Sequence, residues 1–321
     1  MSTYKEIHGT DIEVLSSDPA NPVEGQVWYN STSNTVKGQF FNSGSWSTGG
    51  DLNTARRTLG GAGIQTAALA FGGSIPPRTA VTESYDGTSW TEVNDLNAAR
   101  DTLIGAGTQI SALAIGGENA TAISAETESW NGTSWTEVND LNTARTYLAG
   151  AGADNTSALA FGGLNPGLSP ARTAVTESWN GTSWTEVNDL NTGRENLAPA
   201  GTQTAALGFG GGVPPTTGAT ESWNGTSWTE VNDLNTAREY LAGAGTQTSA
   251  LAFGGLPDSA FTESWNGTSW TEVNDLNSGR YQLAGAGTDN TSALAFGGAS
   301  PSFAATEEWN VGPQTITFTD S

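Results

Sequence analysis

One short amino-acid sequence recurs along the chain, and this repetition constrains the fold more than any other feature. Glu128–Arg145, Glu177–Arg194, Glu221–Arg238 and Glu263–Arg280 all read, with small changes, as ESWNGTSWTEVNDLNTAR. The arginine that ends the phrase occurs six times, 42 to 49 residues apart, at Arg56, Arg100, Arg145, Arg194, Arg238 and Arg280. A period of this length is typical of an array of equivalent structural units.

Each unit predicts four β-strands. In the copy that follows Arg238, the stretches EYLAGAG, SALAFGG, FTESW and TSWTEV are separated by turn-forming residues. Asn-Gly between the last two is a strong hairpin signal, because both positions tolerate a positive φ. Glycine and β-branched residues spaced at period two disfavour helix. Four antiparallel strands in about 45 residues predict one blade of a β-propeller, and six copies predict a six-bladed β-propeller of the all-β class.

The aromatic residues predict how the propeller closes. The third strand of each unit carries one aromatic residue, at Tyr85, Trp130, Trp179, Trp223, Trp265 and Trp309, and the fourth carries a tryptophan, at Trp46, Trp90, Trp135, Trp184, Trp228 and Trp270. Trp46 precedes the first arginine, and no fourth strand follows Trp309. We therefore predict that Ser43–Thr48 supplies the outer strand of the last blade, which removes the open edges of the array.

The N-terminal segment differs from the repeats. It predicts two short strands, QVWYN and TVKGQFF, around a turn STSN. We divide the chain into an N-terminal extension, residues 1–38, and a propeller, residues 39–321. The extension is interpreted either as a docking segment or as an extra hairpin beside the first blade.

Composition excludes several classes of function. The formal net charge is −22, from 11 basic and 33 acidic residues, which argues against nucleic acid and anionic lipid as partners. There is no cysteine and only one histidine, His8, which lies outside the repeats. Thiolate sites, multi-histidine metal sites and a Ser-His-Asp triad are therefore not expected in the repeats. We expect no cofactor, no metal and no catalysis.

The first thirty residues hold acidic side chains and no apolar core segment, so we expect no signal peptide. No run of 18 apolar residues occurs, and no membrane insertion is expected. The chain is expected to be made in a cytoplasm.

Each repeat also carries one glutamate near the third-strand aromatic residue, at Glu83, Glu128, Glu177, Glu221, Glu263 and Glu307. Six glutamates match the six arginines, which predicts a repeated structural ion pair, because an unpaired buried charge is costly. The alternative is a ring of arginines that binds an anion. The aspartate of each DLN sequence is interpreted as a turn residue rather than a calcium ligand, because one carboxylate per blade does not supply six to eight converging oxygens.

The copies differ most after the double glycine, where SIPPRTAV, ENATAISAE and LNPGLSPARTAV occupy equivalent places. Loops on a rigid scaffold are the usual sites of recognition, although neutral drift of the loops would give the same pattern. The predicted binding residues in these loops are Pro76, Arg78, Asn119, Asn165, Arg172, Pro214, Asp258 and Phe261.

The order arginine, double glycine, third-strand aromatic and fourth-strand tryptophan resembles the kelch repeat over residues 39–310. It departs from that family in carrying tryptophan where kelch repeats often have tyrosine, which only Tyr85 keeps. DPANPVEGQVWYNSTSNTVKG, Asp18–Gly38, resembles a short module at the start of bacteriophage structural and tail-fibre-like proteins.

Together these resemblances imply a virion protein. Its N-terminal segment would contact other virion proteins, and its propeller would bind a host-surface glycan or protein. The alternatives are an intracellular kelch-type scaffold for protein partners and a glycan-active enzyme.

Overall fold

The computed structural model describes residues 12–23, 25–41, 44–257, 260–299 and 304–318, and these residues form β-strands, turns and loops without a helix. The strands make seven four-stranded sheets. Contacts divide the chain into two units, Met1–Ser45 with Val311–Ser321, and Trp46–Asn310.

The first unit contains one sheet, here called the terminal sheet, with the strand order β1-β2-β3-β28. β1 pairs in parallel with β2, and the other neighbours are antiparallel. Its strands are β1 (Glu13–Leu15), β2 (Val27–Asn30), β3 (Thr35–Phe41) and β28 (Pro313–Phe318). The β2–β3 hairpin matches the two strands predicted around STSN. The sequence-based boundary grouped Pro313–Phe318 with the repeats, whereas the structure pairs it with β3.

Asp18 organises the polar side of the terminal sheet. Its carboxylate accepts hydrogen bonds from Lys37 at 2.6 Å, Asn30 at 2.7 Å and the indole of Trp28 at 3.0 Å. These bonds, that of Lys37 first, lower the pKa of Asp18 to about 2. Asp18 thereby connects the segment before β2 to both strands of the hairpin.

The second unit contains six repeated sheets, called sheets 1 to 6, which confirm the prediction of four strands per repeat. Sheets 1 and 2 comprise β5 (Gly60–Ile64), β6 (Ala67–Phe71), β7 (Thr82–Tyr85) and β8 (Trp90–Val93), then β9 (Ile104–Thr108), β10 (Ser111–Ile115), β11 (Thr127–Trp130) and β12 (Trp135–Val138). Sheets 3 and 4 comprise β13 (Ala149–Asp154), β14 (Ser157–Phe161), β15 (Thr176–Trp179) and β16 (Trp184–Val187), then β17 (Ala198–Thr202), β18 (Ala205–Phe209), β19 (Thr220–Trp223) and β20 (Trp228–Val231). Sheets 5 and 6 comprise β21 (Ala242–Thr246), β22 (Ser249–Phe253), β23 (Thr262–Trp265) and β24 (Trp270–Val273), then β25 (Ala284–Asp289), β26 (Ser292–Phe296), β27 (Thr306–Asn310) and β4 (Ser45–Thr48).

The residue type of each strand follows from its place in the sheet. First strands are built from glycine and alanine because they approach one another closely: a Cβ on Gly105 would lie 2.1 Å from the carbonyl oxygen of Gly61. Second strands are apolar because both faces are covered, and Leu69 and Phe71 are fully buried. Fourth strands bury their tryptophan and expose the following threonine and glutamate.

Hydrophobic clusters lie between successive sheets. One joins Leu69 and Phe71 of sheet 1 to Trp135 of sheet 2, and comparable clusters join sheets 2 and 3, 3 and 4, and 4 and 5. Another cluster joins Phe296 of sheet 6 to Trp90 of sheet 1, with 5.0 Å between ring centroids. Aromatic burial of this kind supplies most of the packing free energy.

A second set of contacts repeats the same pattern with hydrogen bonds. The indole N–H of each fourth-strand tryptophan donates to the hydroxyl of a third-strand threonine in the preceding sheet, at 3.0 to 3.1 Å. The pairs are Trp90–Thr306, Trp135–Thr82, Trp184–Thr127, Trp228–Thr176, Trp270–Thr220 and Trp46–Thr262. Sheet 1 therefore binds sheet 6 in the same way as sheet 2 binds sheet 1.

β4 completes sheet 6 beside β27. Trp46 and Trp309 lie 5.5 Å apart between ring centroids, close to the 5.4 Å of Trp223 and Trp228 in sheet 4. The Ser47 hydroxyl donates to the carbonyl of Glu308 at 3.3 Å. The N-terminal strand thus occupies the position that the sequence predicts for the missing fourth strand; Ser43 lies outside the described residues.

Candidate functional site

The linker that joins each fourth strand to the next first strand carries the repeated arginine. Each arginine forms an ion pair with the third-strand glutamate of the sheet it enters, at 2.5 to 3.1 Å: Arg56–Glu83, Arg100–Glu128, Arg145–Glu177, Arg194–Glu221, Arg238–Glu263 and Arg280–Glu307. All six arginines have 0% exposed surface. They therefore offer no guanidinium face to a dissolved anion.

The surroundings of Arg145 show how the buried charge is satisfied. Its guanidinium donates to the carbonyls of Gly162 at 2.9 Å and Val175 at 2.6 Å, and the second oxygen of Glu177 accepts from Asn142. Burial lowers the pKa of Arg145, and the charge of Glu177 opposes that shift. The ion pair and its hydrogen bonds hold the linker against the sheet it enters.

The aspartate of the same linker contacts the sheet that the linker leaves. Asp95 accepts a hydrogen bond from the backbone N–H of Thr82 at 3.1 Å, and Asp189 accepts one from Thr176 at 3.1 Å. Each linker therefore binds two successive sheets through side chains of one short sequence.

The loops between second and third strands emerge on the same side as the linkers, because the N–H of Leu96 donates to the carbonyl of Ala80 at 3.0 Å. We call this side of sheets 1 to 6 the variable face. Of the predicted binding residues, Pro76, Arg78, Asn119, Asn165, Arg172, Pro214 and Phe261 lie in these loops, and Asp258 lies outside the described residues.

Two of the loop arginines are engaged in ion pairs. Arg78 contacts Asp101 at 2.7 Å and Glu118 at 2.8 Å, and Arg172 contacts Glu195 at 2.8 Å. Asp101 and Glu195 precede the first strands of the next sheets. Arg78 thereby ties its loop to the next sheet and to the loop of that sheet, Arg172 ties its loop to the next sheet alone, and both side chains are partly exposed.

The centre of the variable face is formed by six residues that sequence reasoning missed, here called the six-residue ring. They stand just before the first strands, at Thr58, Thr102, Tyr147, Asn196, Tyr240 and Gln282, and all have φ between 52° and 57°. The left-handed region is uncommon for residues other than glycine. Six non-glycine residues in this conformation mark a position under constraint.

The backbone of the six-residue ring forms a closed cycle of hydrogen bonds. The N–H of Thr102 donates to the carbonyl of Thr58 at 2.8 Å, and the pattern continues from residue to residue until Thr58 donates to Gln282 at 2.9 Å. Each backbone N–H and carbonyl of the ring therefore has a hydrogen-bond partner within the ring. The six side chains line a cavity of about 90 Å³, together with leucines such as Leu197 and Leu241.

The identity of each ring residue and of the residue before it varies from copy to copy. Arginine before and leucine after are constant in RRTL, RDTL, RTYL, RENL, REYL and RYQL. The two residues between this arginine and this leucine differ from copy to copy, as the loops do. They lie inside a repeated sequence of constant length, whereas the loops also differ in length.

The opposite side of the sheets shows little such variation. Asn131, Asn180, Asn224 and Asn266 accept two backbone hydrogen bonds, each at 2.9 Å, in the turn after the third strand. Glutamine or asparagine in the turn after the first strand donates to the preceding sheet, as Gln65 does to the carbonyl of Trp309 at 2.7 Å. We call this side the repeated face.

Within the described ranges, no group of three or more acidic, histidine or cysteine side chains could hold a metal ion. The described residues also include no helix long and apolar enough to cross a lipid bilayer.

A scan against protein-family models finds no match, and a search of curated proteins finds no significant relative.

Replacing Arg145 by methionine should lower the free energy of unfolding by about 3–5 kcal/mol, because Glu177 is then left buried without its cation. Combining Arg145→Met with Glu177→Gln should recover part of this loss. Urea unfolding followed by tryptophan fluorescence measures both changes. A loss below about 1 kcal/mol for the single variant would contradict a structural role for the pair.

Proposed function

We propose that sheets 1 to 6 form a closed six-bladed β-propeller of the kelch type. Three cyclic contact sets support this proposal: the tryptophan–threonine bonds, the backbone cycle of the six-residue ring, and the hydrophobic cluster between sheets 6 and 1. In each set, the contact between the last and first sheets has the geometry of the contacts between the others.

The function that this geometry supports best is ligand binding without catalysis, through the variable face. The observation that carries it is the contrast between the two faces: one repeats its turns and hydrogen bonds, while the other changes its ring side chains and loops from copy to copy. A rigid array with one divergent face is the arrangement expected of a recognition module. The ligand proposed is a host-surface glycan or protein.

The side chains of the ring are suited to such recognition. Tyr147 and Tyr240 are half-buried, with their centroids 5.8 Å apart at 87°. Burial raises the pKa of Tyr147 to about 12, further above neutral pH than the ordinary value of a phenol. Amphipathic aromatic side chains that remain partly exposed are typical of glycan and protein contacts.

The proposed setting is a virion. Its support is the resemblance of Asp18–Gly38 to the start of bacteriophage structural proteins, together with the separate terminal sheet that this segment helps to form. The terminal sheet would contact other virion proteins, and the repeats would be presented to the host. Mass spectrometry of purified phage particles that encode this chain should detect it; particles that lack it would remove the virion setting.

Replacing Tyr147 and Tyr240 together by threonine tests the binding function, because Thr58 and Thr102 occupy the same position in sister copies. The fold should tolerate the change, and binding to host-surface glycans on an array or to host envelope protein should fall at least about tenfold.

The matched control is Asn155→Gln on the repeated face, which also copies a residue of sister sheets, such as Gln65. It should leave binding unchanged. Equal loss in the control, or full binding by the double variant, would refute recognition through the variable face.

A further inference from the structure

The cavity at the six-residue ring has two chemically different sides. On one side, Thr58 and Thr102 are small, and their hydroxyls donate to the carbonyls of Arg57 at 2.7 Å and Asp101 at 2.6 Å. On the other, Asn196, Tyr240 and Gln282 are consecutive members of the ring. A ligand in the cavity would therefore rest over the threonines and face an amide, a phenol and an amide.

Two acceptor atoms on that side lack partners. Asn196 is 8% exposed, and its Oδ1 is buried without a hydrogen bond, as is Oε1 of Gln282. The Nδ2 of Asn196 lies 3.4 Å from a carboxylate oxygen of Glu239, and this sets the amide orientation because an ionised carboxylate only accepts. Both residues line the cavity, and a ligand that donates hydrogen bonds there would satisfy these acceptors.

The charge beside these acceptors is only half compensated. Glu195 and Glu239 flank Asn196 and Tyr240 in sequence, and Arg172 pairs with Glu195 at 2.8 Å. Among the described residues, Glu239 has no cationic group within 4.0 Å. Burial raises the pKa of Glu195, and the charge of Glu239 adds to that shift. One arginine for two carboxylates leaves a net negative charge beside Asn196, which lines the cavity.

Two residues of the cavity lining, Tyr147 and Tyr240, are aromatic, and Tyr281 lies behind Tyr240 without lining the cavity. The ring of Tyr240 lies 5.8 Å from that of Tyr147 and 6.5 Å from that of Tyr281, measured between centroids. The faces of such rings attract cations and also stack against the apolar face of a sugar. All three features of the cavity therefore disfavour an anion.

We propose that this cavity binds the protonated primary amine of an amino sugar. An ammonium group has three donors and no acceptor, which matches the unpartnered Oδ1 of Asn196 and Oε1 of Gln282, with the negative charge of Glu239 beside Asn196. The sugar ring rests against Tyr240, and its hydroxyls can donate to the Thr58 oxygen across the cavity. The inference rests on the proposed binding function and names its ligand class.

A sugar fits this site better than the side chain of a lysine. Hydrogen-bond acceptors lie on both sides of the cavity. On the side opposite the amides, the Thr58 hydroxyl donates its proton to a backbone carbonyl, so its oxygen can only accept a further hydrogen bond from a ligand. A molecule with hydroxyls around a ring uses acceptors on both sides, whereas an aliphatic stem uses them only at its tip.

The test is calorimetric titration of the full chain at pH 6 with glucosamine, N-acetylglucosamine and glucose, which differ only at one substituent. Glucosamine should bind at least about tenfold more tightly than the other two. Glu239→Gln, which keeps the shape and removes the charge, should weaken glucosamine binding about tenfold and abolish the discrimination.

Glu92→Gln is the matched control, because it removes one carboxylate from an exposed fourth strand. It should change the affinity by less than about twofold, since exposed distant charges are screened. Thermal unfolding of both variants verifies that the fold is intact.

Three results would overturn the inference: equal affinity for the three sugars, no binding of glucosamine, or an unchanged affinity in Glu239→Gln. Tighter binding of Nα-acetyl-lysine amide than of glucosamine would overturn the assignment to a sugar. The binding function itself could survive these results, because the loops of the variable face would still be able to hold a different ligand on the array.

Discussion

The buried ion pair between the linker arginine and the third-strand glutamate is the interaction on which the repeated sheets depend. A buried pair is costly to desolvate, and here the cost is offset by further hydrogen bonds to carbonyls and to the linker asparagine. Because the aspartate of the same linker holds the preceding sheet, each linker connects two sheets at once. One short sequence, repeated six times, thereby sets the spacing of the whole array.

This arrangement explains why the copies diverge where they do. Residues of the repeated phrase that contact two sheets cannot change without disturbing both. The ring side chains and the loops after the double glycine are not part of these linker contacts, and they carry the differences between copies. The left-handed backbone of the ring costs of order 1 kcal/mol for each non-glycine residue. The closed hydrogen-bonded cycle holds these residues in place and leaves their side chains available to a ligand.

Much of the fold could be predicted because the repeats within the chain can be compared with one another. Six nearly identical copies separate the residues that every sheet needs from those that vary, so the four strands and the matched arginine and glutamate were readable from sequence. The position of β4 followed from counting tryptophans. The pairing of Pro313–Phe318 with β3 could not be predicted from the sequence, because the alternating polar and apolar residues of this segment are compatible with the edge of any sheet.

The candidate site was only half visible from sequence. The loops between second and third strands can be recognised in the sequence because their lengths differ between copies, and the structure places Arg78 and Arg172 in them. The ring residues change without any change in length, and no local pattern indicates that Asn196 and Gln282 line one cavity. Their proximity depends on the backbone cycle, which joins residues about 45 positions apart. The role of the linker aspartate was missed for the same reason, since its partner lies in the preceding sheet.

The most direct test of the proposed closed ring uses the absence of native cysteine. Ser47→Cys and Glu308→Cys together place two thiols on β4 and β27, where directly opposed Cβ atoms lie about 4.5–5.5 Å apart. The pair Ser178→Cys and Thr185→Cys sits at the same register in sheet 3 and serves as the control. The account predicts that both pairs form intramolecular disulfides at similar rates, as shown by peptide mapping of the monomer. A control that oxidises while the 47–308 pair stays reduced, or links only between molecules, would contradict it.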